Sequence, residues 1–176
     1  MFRKVCTMAA EVLAALDSLA LATAQESTQA RGNTKSRPKE YATDLGGGVK
    51  MEMVLIPAGE FLMGSPDSDR TAAKDEKPQH RVRITHPFYL GKYPVTQEQW
   101  MAVMGNNPSH FQNPKNPVEW VSWEDCLRFF RRLNEKAGGG KWQFPTEAQW
   151  EYACRAGSTT AFCFGNDEAG LDEYGW

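Results

Sequence analysis

The sequence predicts an α+β domain, and three observations predict it. Strand-type patterns are confined to residues 53–93, helix-entry signals follow beyond residue 95, and long polar, proline-bearing stretches separate the elements. The composition agrees, because 41% hydrophobic and 24% charged residues describe a folded domain rather than a disordered chain. Six Trp, nine Phe and five Tyr imply a core held by aromatic packing more than by long aliphatic helices. A formal net charge of -2 leaves no electrostatic footprint for nucleic acid or an anionic membrane surface. No apolar run approaches the length of a bilayer span.

Met1–Ala24 reads as a secretory signal segment, with Arg3 and Lys4 as a basic start and Ala22-Thr23-Ala24 as a small-residue cleavage site. Glu11 and Asp17 interrupt its apolar stretch, so a frayed or alternately started N-terminus is the competing reading. The signal reading places the protein outside the cytoplasm, secreted or periplasmic. Residues 25–48 are polar, carry scattered basic residues and end in Gly46-Gly47-Gly48, which predicts a flexible linker. The folded domain is expected over 49–176.

Within it, the β-branched run Met53–Pro57 predicts a strand. Ala58-Gly59 predicts a tight turn, and Glu60–Ser65 the returning arm of a hairpin. Pro66–Gln79 is a charged loop. His80–Ile84 alternates polar and apolar residues, as a half-buried strand does, and Phe88–Tyr93 is a short aromatic strand.

Three helices are predicted by one kind of entry signal. Thr96 with Gln99, Ser122 with Asp125, and Thr146 with Gln149 each place a hydroxyl cap three residues before an acid or amide. Val95 and Trp100 are spaced as a hydrophobic staple, and Gly105 ends the first helix. The second runs to about Lys136, with Cys126, Phe130 and Leu133 inward and Arg128, Arg131, Arg132 and Glu135 outward. The third is expected to bury Trp150 beside Ala153 and Cys154. Glu151 and Arg155 then pair on another face, and Gly157 supplies the left-handed end.

Chemistry is sparse at this level. Cys6, Cys126, Cys154 and Cys163 show no CxxC spacing, which argues against a zinc ribbon or a thioredoxin-like motif. Cys126 and Cys154 read as small buried hydrophobes, and a Cys154–Cys163 disulfide requires an oxidising compartment. His80, His86 and His110 form no i,i+4 pair, so no helix-borne zinc motif exists. Asn166, Asp167, Glu168, Asp172 and Glu173 offer oxygens for calcium, against the plainer reading of a solvated acidic turn. No catalytic, cofactor-binding or metal-ligating residue is assigned from the residues themselves.

Several blocks, taken together and in order, resemble the formylglycine-generating enzyme family, also called the sulfatase-modifying factor domain. They are Met53–Ser65, Asp75–His80, Tyr93–Thr96, Pro117–Asp125 and Phe144–Ala153. The resemblance implies a C-type-lectin-like fold with little regular structure, long loops and structural calcium. It implies an oxidoreductase activity in which a cysteine pair binds copper and, with oxygen, oxidises a cysteine of a sulfatase to formylglycine. Two thiolates suit Cu(I) because both partners are soft. The family's later blocks, Gly-Asn-x-x-Glu-Trp, Arg-Gly-Gly-Ser-Trp and Gly-Phe-Arg, do not occur, and the copper-binding pair belongs with them. Cys126, Cys154 and Cys163 do not match its positions. The expectation is an N-terminal half of such a domain, inactive as it stands and poorly cooperative, with faces of Trp100, Trp123 and Trp150 short of partners. A sulfatase-type protein substrate is the implied partner. A non-catalytic lectin-like binding or sensor domain is the alternative. Iron-dependent sulfoxide synthases are set aside, because residues 1–48 contain no histidine.

Overall fold

Central to the architecture is a strand covered on both faces. The computed structural model describes residues 15–16, 37–136, 141–167 and 169. It contains β1 (Ala15–Leu16), β2 (Glu40–Gly46), β3 (Val49–Ile56), β4 (Gly59–Met63), β5 (His80–Ile84), β6 (Phe88–Gly91) and β7 (Trp142–Gln143). Its α-helices are α1 (Gln97–Met104), α2 (Trp123–Lys136) and α3 (Glu147–Arg155). One sheet has the order β2-β3-β6-β1-β7, and a second consists of β4 and β5. All pairings are antiparallel.

Every residue of β6 is buried. The alternation of side chains along a strand explains how. Tyr89 points into a core with Met51 and Met53 of β3, Trp100 of α1, and Cys126, Phe129, Phe130 and Leu133 of α2. Phe88 and Leu90 point the other way, into a cluster with Ile84 and Val82 of β5 and Ala148, Tyr152 and Ala153 of α3. Helices α1 and α2 therefore cover one face of the large sheet, and the β4–β5 pair with α3 covers the other. Trp100 and Phe129 stack at 5.0 Å and 7° between planes, which realises the aromatic core that the composition implies.

The three helix entries form as expected. Thr96 and Thr146 each close a full capping box with Gln99 and Gln149. Ser122 accepts from the Asp125 N–H, and the Asp125 carboxylate accepts from the Ser122 N–H and hydroxyl. Val95 and Trp100 are both buried, consistent with the staple, and Gly105 ends α1 at φ +80°. Strand β5 has the expected bounds, and β6 stops at Gly91, short of Tyr93.

Other expectations are corrected. Residues 40–46 are a strand rather than linker, with Tyr41, Thr43 and Leu45 alternating inward against the exposed residues between them. The three glycines form its hairpin turn to β3 at positive φ, so they join two paired strands instead of ending a loose segment. Residues 25–36 of the expected linker, and the expected signal segment apart from β1, lie outside the described residues.

The β3–β4 hairpin does not form. Both edges of β3 are taken, by β2 and by β6 in the register Ile56↔Phe88, so β4 leaves the sheet and pairs with β5. Trp100 is 1% exposed, with its ring stacked on Phe129 and its Nε1 buried without a hydrogen-bond partner, whereas Trp123 is 61% exposed, with one face stacked on Phe144 at 4.0 Å. Ala156, at φ +46°, is the left-handed cap of α3, with Gly157 following at positive φ.

Candidate functional site

Helix α3 buries its charged pair more deeply than its tryptophan. Trp150 is half-buried, whereas Glu151 and Arg155 are 3% and 8% exposed. Their i,i+4 spacing pairs them, with Arg155 Nε and Nη2 at 2.8 and 2.6 Å from Glu151 Oε1. Gly64, just past β4, completes the group. Its N–H donates to Glu151 Oε1 at 3.0 Å, and its carbonyl accepts from Arg155 Nη2 and Gln79 Nε2, both at 3.1 Å. One carboxylate oxygen thus takes three donors, while Glu151 Oε2 is buried without a hydrogen-bond partner. A buried charge pair costs desolvation, and geometry of this quality with extra hydrogen bonds is what offsets it.

Only glycine fits at position 64. Its φ is +87°, and a Cβ there would lie 2.5 Å from the Glu76 carbonyl oxygen. The next residue continues the seam, since Ser65 N–H donates to the same carbonyl and Ser65 Oγ donates to the buried Glu76 carboxylate at 3.0 Å.

Beside this clamp lies a cavity of about 560 Å³. Glu60, Phe61 and Leu62 of β4 form one wall, with Gln79 and Arg81 alongside. Tyr152, Arg155 and residues of the 157–161 segment also line it, as do Asp69 and Asn166. Glu60 bridges Arg81 and Arg83 at 3.0 and 2.9 Å, which holds its carboxyl below the usual carboxylate range. The Thr71 hydroxyl and backbone N–H, followed by the Ala72 N–H, do the same for Asp69. The walls combine apolar surface with both signs of charge.

The thiols do not converge there. Cys126 is 5% exposed in the α2 core, and burial pushes its thiol up to about 11. Cys154 is half-buried on α3, not fully buried as its helical pattern implied, and Cys163 is exposed on the following loop. Cys154 and Cys163 are not bridged. Among the described residues no group of three or more His, Cys, Asp or Glu side chains is placed to hold a metal ion. These residues do not fit a copper site of two soft thiolates.

The candidate calcium oxygens are also committed elsewhere. Asn166 Oδ1 accepts from the Ala161 N–H, and Asp167 Oδ1 from the Ala169 N–H, while Glu168, Asp172 and Glu173 lie outside the described residues. The histidines are dispersed. His80 Nδ1 meets the Pro78 carbonyl, His86 Nδ1 meets the Thr85 hydroxyl, and His110 stacks on Trp120. Sequence reasoning missed Gly64, Gln79 and the buried role of the Glu151–Arg155 pair. The pair's spacing was visible, but its burial depends on a glycine 87 positions away.

Comparison with known proteins agrees with this fold. The family model described as a sulfatase-modifying factor enzyme 1-like domain matches residues 43–176. The chaperone protein LppX of Paenibacillus barcinonensis is 29% identical over 163 residues, 73% of this chain and 54% of that protein. The formylglycine-generating enzyme of Thermomonospora curvata is 26% identical over 167 residues, 65% of this chain and 52% of that enzyme. The chain spans about half the length of these curated relatives. Among solved structures, Treponema denticola variable protein 1 superposes with a TM-score of 0.67 at 28% identity, covering 80% of this chain and 65% of that one. PvdO from Pseudomonas aeruginosa gives 0.62 at 29%, covering 75% and 57%. No helix among the described residues is long and apolar enough to cross a membrane.

Proposed function

Because the chain belongs to the family of sulfatase-modifying factor enzyme 1-like domains, we propose that it builds the frame of such a domain without its reactive thiols. The family activity, copper- and oxygen-dependent oxidation of a sulfatase cysteine to formylglycine, then does not proceed on residues 1–176 alone. One observation carries this reading. The described thiols occupy a core, a helix flank and an exposed loop, and the most buried of them, Cys126, is held protonated up to about pH 11. In a domain of this family that binds them, copper would supply oxygen activation and calcium loop rigidity. The described residues contribute packing and the clamp around Gly64. The test is direct. Incubated with Cu(I), oxygen and a sulfatase-type CxPxR peptide, the purified chain should leave the cysteine unchanged, and mass-spectrometric detection of the aldehyde overturns the proposal.

A second reading, a non-catalytic recognition domain, is favoured by the mixed apolar and charged cleft beside α3. It is also favoured by a relative that is named as a chaperone. It predicts saturable peptide binding without chemical change to the peptide, measured by calorimetry.

A further inference from the structure

We propose that the outer face of α2 is a self-pairing surface, on which a second copy of this chain lays its own α2 antiparallel about a twofold axis at Leu127.

Helix periodicity defines the face. Cys126, Phe129, Phe130 and Leu133 are buried in the core, so the opposite arc of this 14-residue helix faces outward. Trp123, Leu127 and Arg131 follow at i, i+4 and i+8, which makes them one ridge along it. Trp123 is 61% exposed and Leu127 is 44% exposed. Stacking on Phe144 takes one face of the Trp123 ring and leaves the other for contact. Trp120, 74% exposed, adds a second indole just ahead of the helix. Its backbone is left-handed at φ +59°, a conformation that a bulky residue adopts only where its surroundings impose it. Those surroundings include the Ser109 hydroxyl, which accepts the Glu119 N–H at 3.1 Å, and the buried Val118.

Charge selects the partner. Arg128 is engaged by Asp125, while Arg132 and Lys136 donate to the Met104 and Ala102 carbonyls of α1. Glu124 and Arg131 are exposed, and among the described residues neither makes an ion pair. They lie too far apart along one helix to meet each other, since only i,i+3 and i,i+4 positions are neighbours. Yet they flank Leu127 almost evenly, one turn to either side.

In an antiparallel twofold pair, a residue ahead of Leu127 lies across from a residue behind Leu127 in the other copy. Arg131 of the second copy then reaches Glu124 and the open face of Trp123, gaining an ion pair and a cation–π contact. Symmetry repeats both contacts at the other end, and the two Leu127 side chains meet at the axis. A parallel pair would instead set Glu124 against Glu124 and Arg131 against Arg131. The ridge is therefore complementary to itself in one direction only, and such an isologous contact closes at two copies. One pair of crossing helices covers less than the about 800 Å² per partner of a standard interface, so the dimer is weak.

Sedimentation velocity on the full 176-residue chain tests this. From about 1 to about 500 μM, the range suited to a small interface, monomer should give way to dimer with no larger species. Glu124→Arg and Arg131→Glu should each raise the dissociation constant at least about tenfold, because each sets like charges together twice. The two changes combined should return it to within about threefold of the original, since opposite charges face each other again. A merely structural role for either residue would give no such rescue. Leu127→Asp should keep the chain monomeric throughout. At about 1 μM its urea midpoint should match that of the unaltered chain, because the side chain is exposed. A monomer at the highest concentration overturns the proposal, as does growth beyond the dimer. So does a double variant no tighter than the single ones, or a dimer that Leu127→Asp leaves intact.

Discussion

Replacing both members of the Glu151–Arg155 pair should harm the fold less than replacing either one. In Arg155→Met, the Glu151 carboxylate stays 3% exposed with only the Gly64 N–H to answer it. In Glu151→Leu, the guanidinium stays buried with only the Gly64 carbonyl. An uncompensated buried charge costs about 3–5 kcal/mol in each case. A domain holds about 5–15 kcal/mol in total, so either change removes a large share. In the double variant no charge remains. The Gly64 carbonyl keeps Gln79 Nε2 at 3.1 Å, and the residual loss is the Gly64 N–H without an acceptor, about 1–3 kcal/mol. Urea unfolding followed by tryptophan fluorescence measures all four members of the cycle. If the double variant loses as much as the two single variants together, the clamp is not a coupled unit and the account of α3 fails.

Two further outcomes follow from titrating groups. Cys126 has its thiol pushed up to about 11, chiefly by burial and secondarily by Asp125, so at pH 8 about one molecule in a thousand carries the thiolate. Iodoacetamide at pH 8 should modify exposed Cys163 at least about a hundredfold faster than Cys126, and equal rates in peptide mass spectra refute the burial argument. The same shift favours the folded state fully below the ordinary thiol range, and that contribution fades as pH rises through about 11. Asp125 is held down to about 2 by the Ser122 hydroxyl first, then the Ser122 N–H and Arg128. Its contribution to stability is present above the usual carboxylate range and is lost as pH falls through about 2. Carbon NMR of the carboxyl should show that midpoint and should show it rise in Ser122→Ala. An unmoved midpoint would mean the cap does not hold the charge.

Features read correctly from the sequence were those whose cause lies within a few residues. A capping box needs a hydroxyl and a partner three positions on, and Thr96, Ser122 and Thr146 each have one. Strand β5 declares itself by alternation within His80–Ile84. Strand β2 has the same alternation at Tyr41, Thr43 and Leu45, but it sits among polar residues beside three glycines, and composition outweighed period there.

Long-range features were not legible, for one physical reason. Pro57-Ala58-Gly59 permits a tight turn, yet a hairpin forms only if the edge of β3 is free, and residue 88 decides that by pairing with Ile56. Likewise, a Glu–Arg pair at i,i+4 is ordinarily a solvated surface pair worth a few tenths of a kcal/mol. Glu151 and Arg155 depart from that because the chain at Gly64, free of a Cβ and turned by its positive φ, presents both a donor and an acceptor to them. The glycine makes the burial tolerable, the burial makes the pair strong, and the pair in turn fixes where β4 ends.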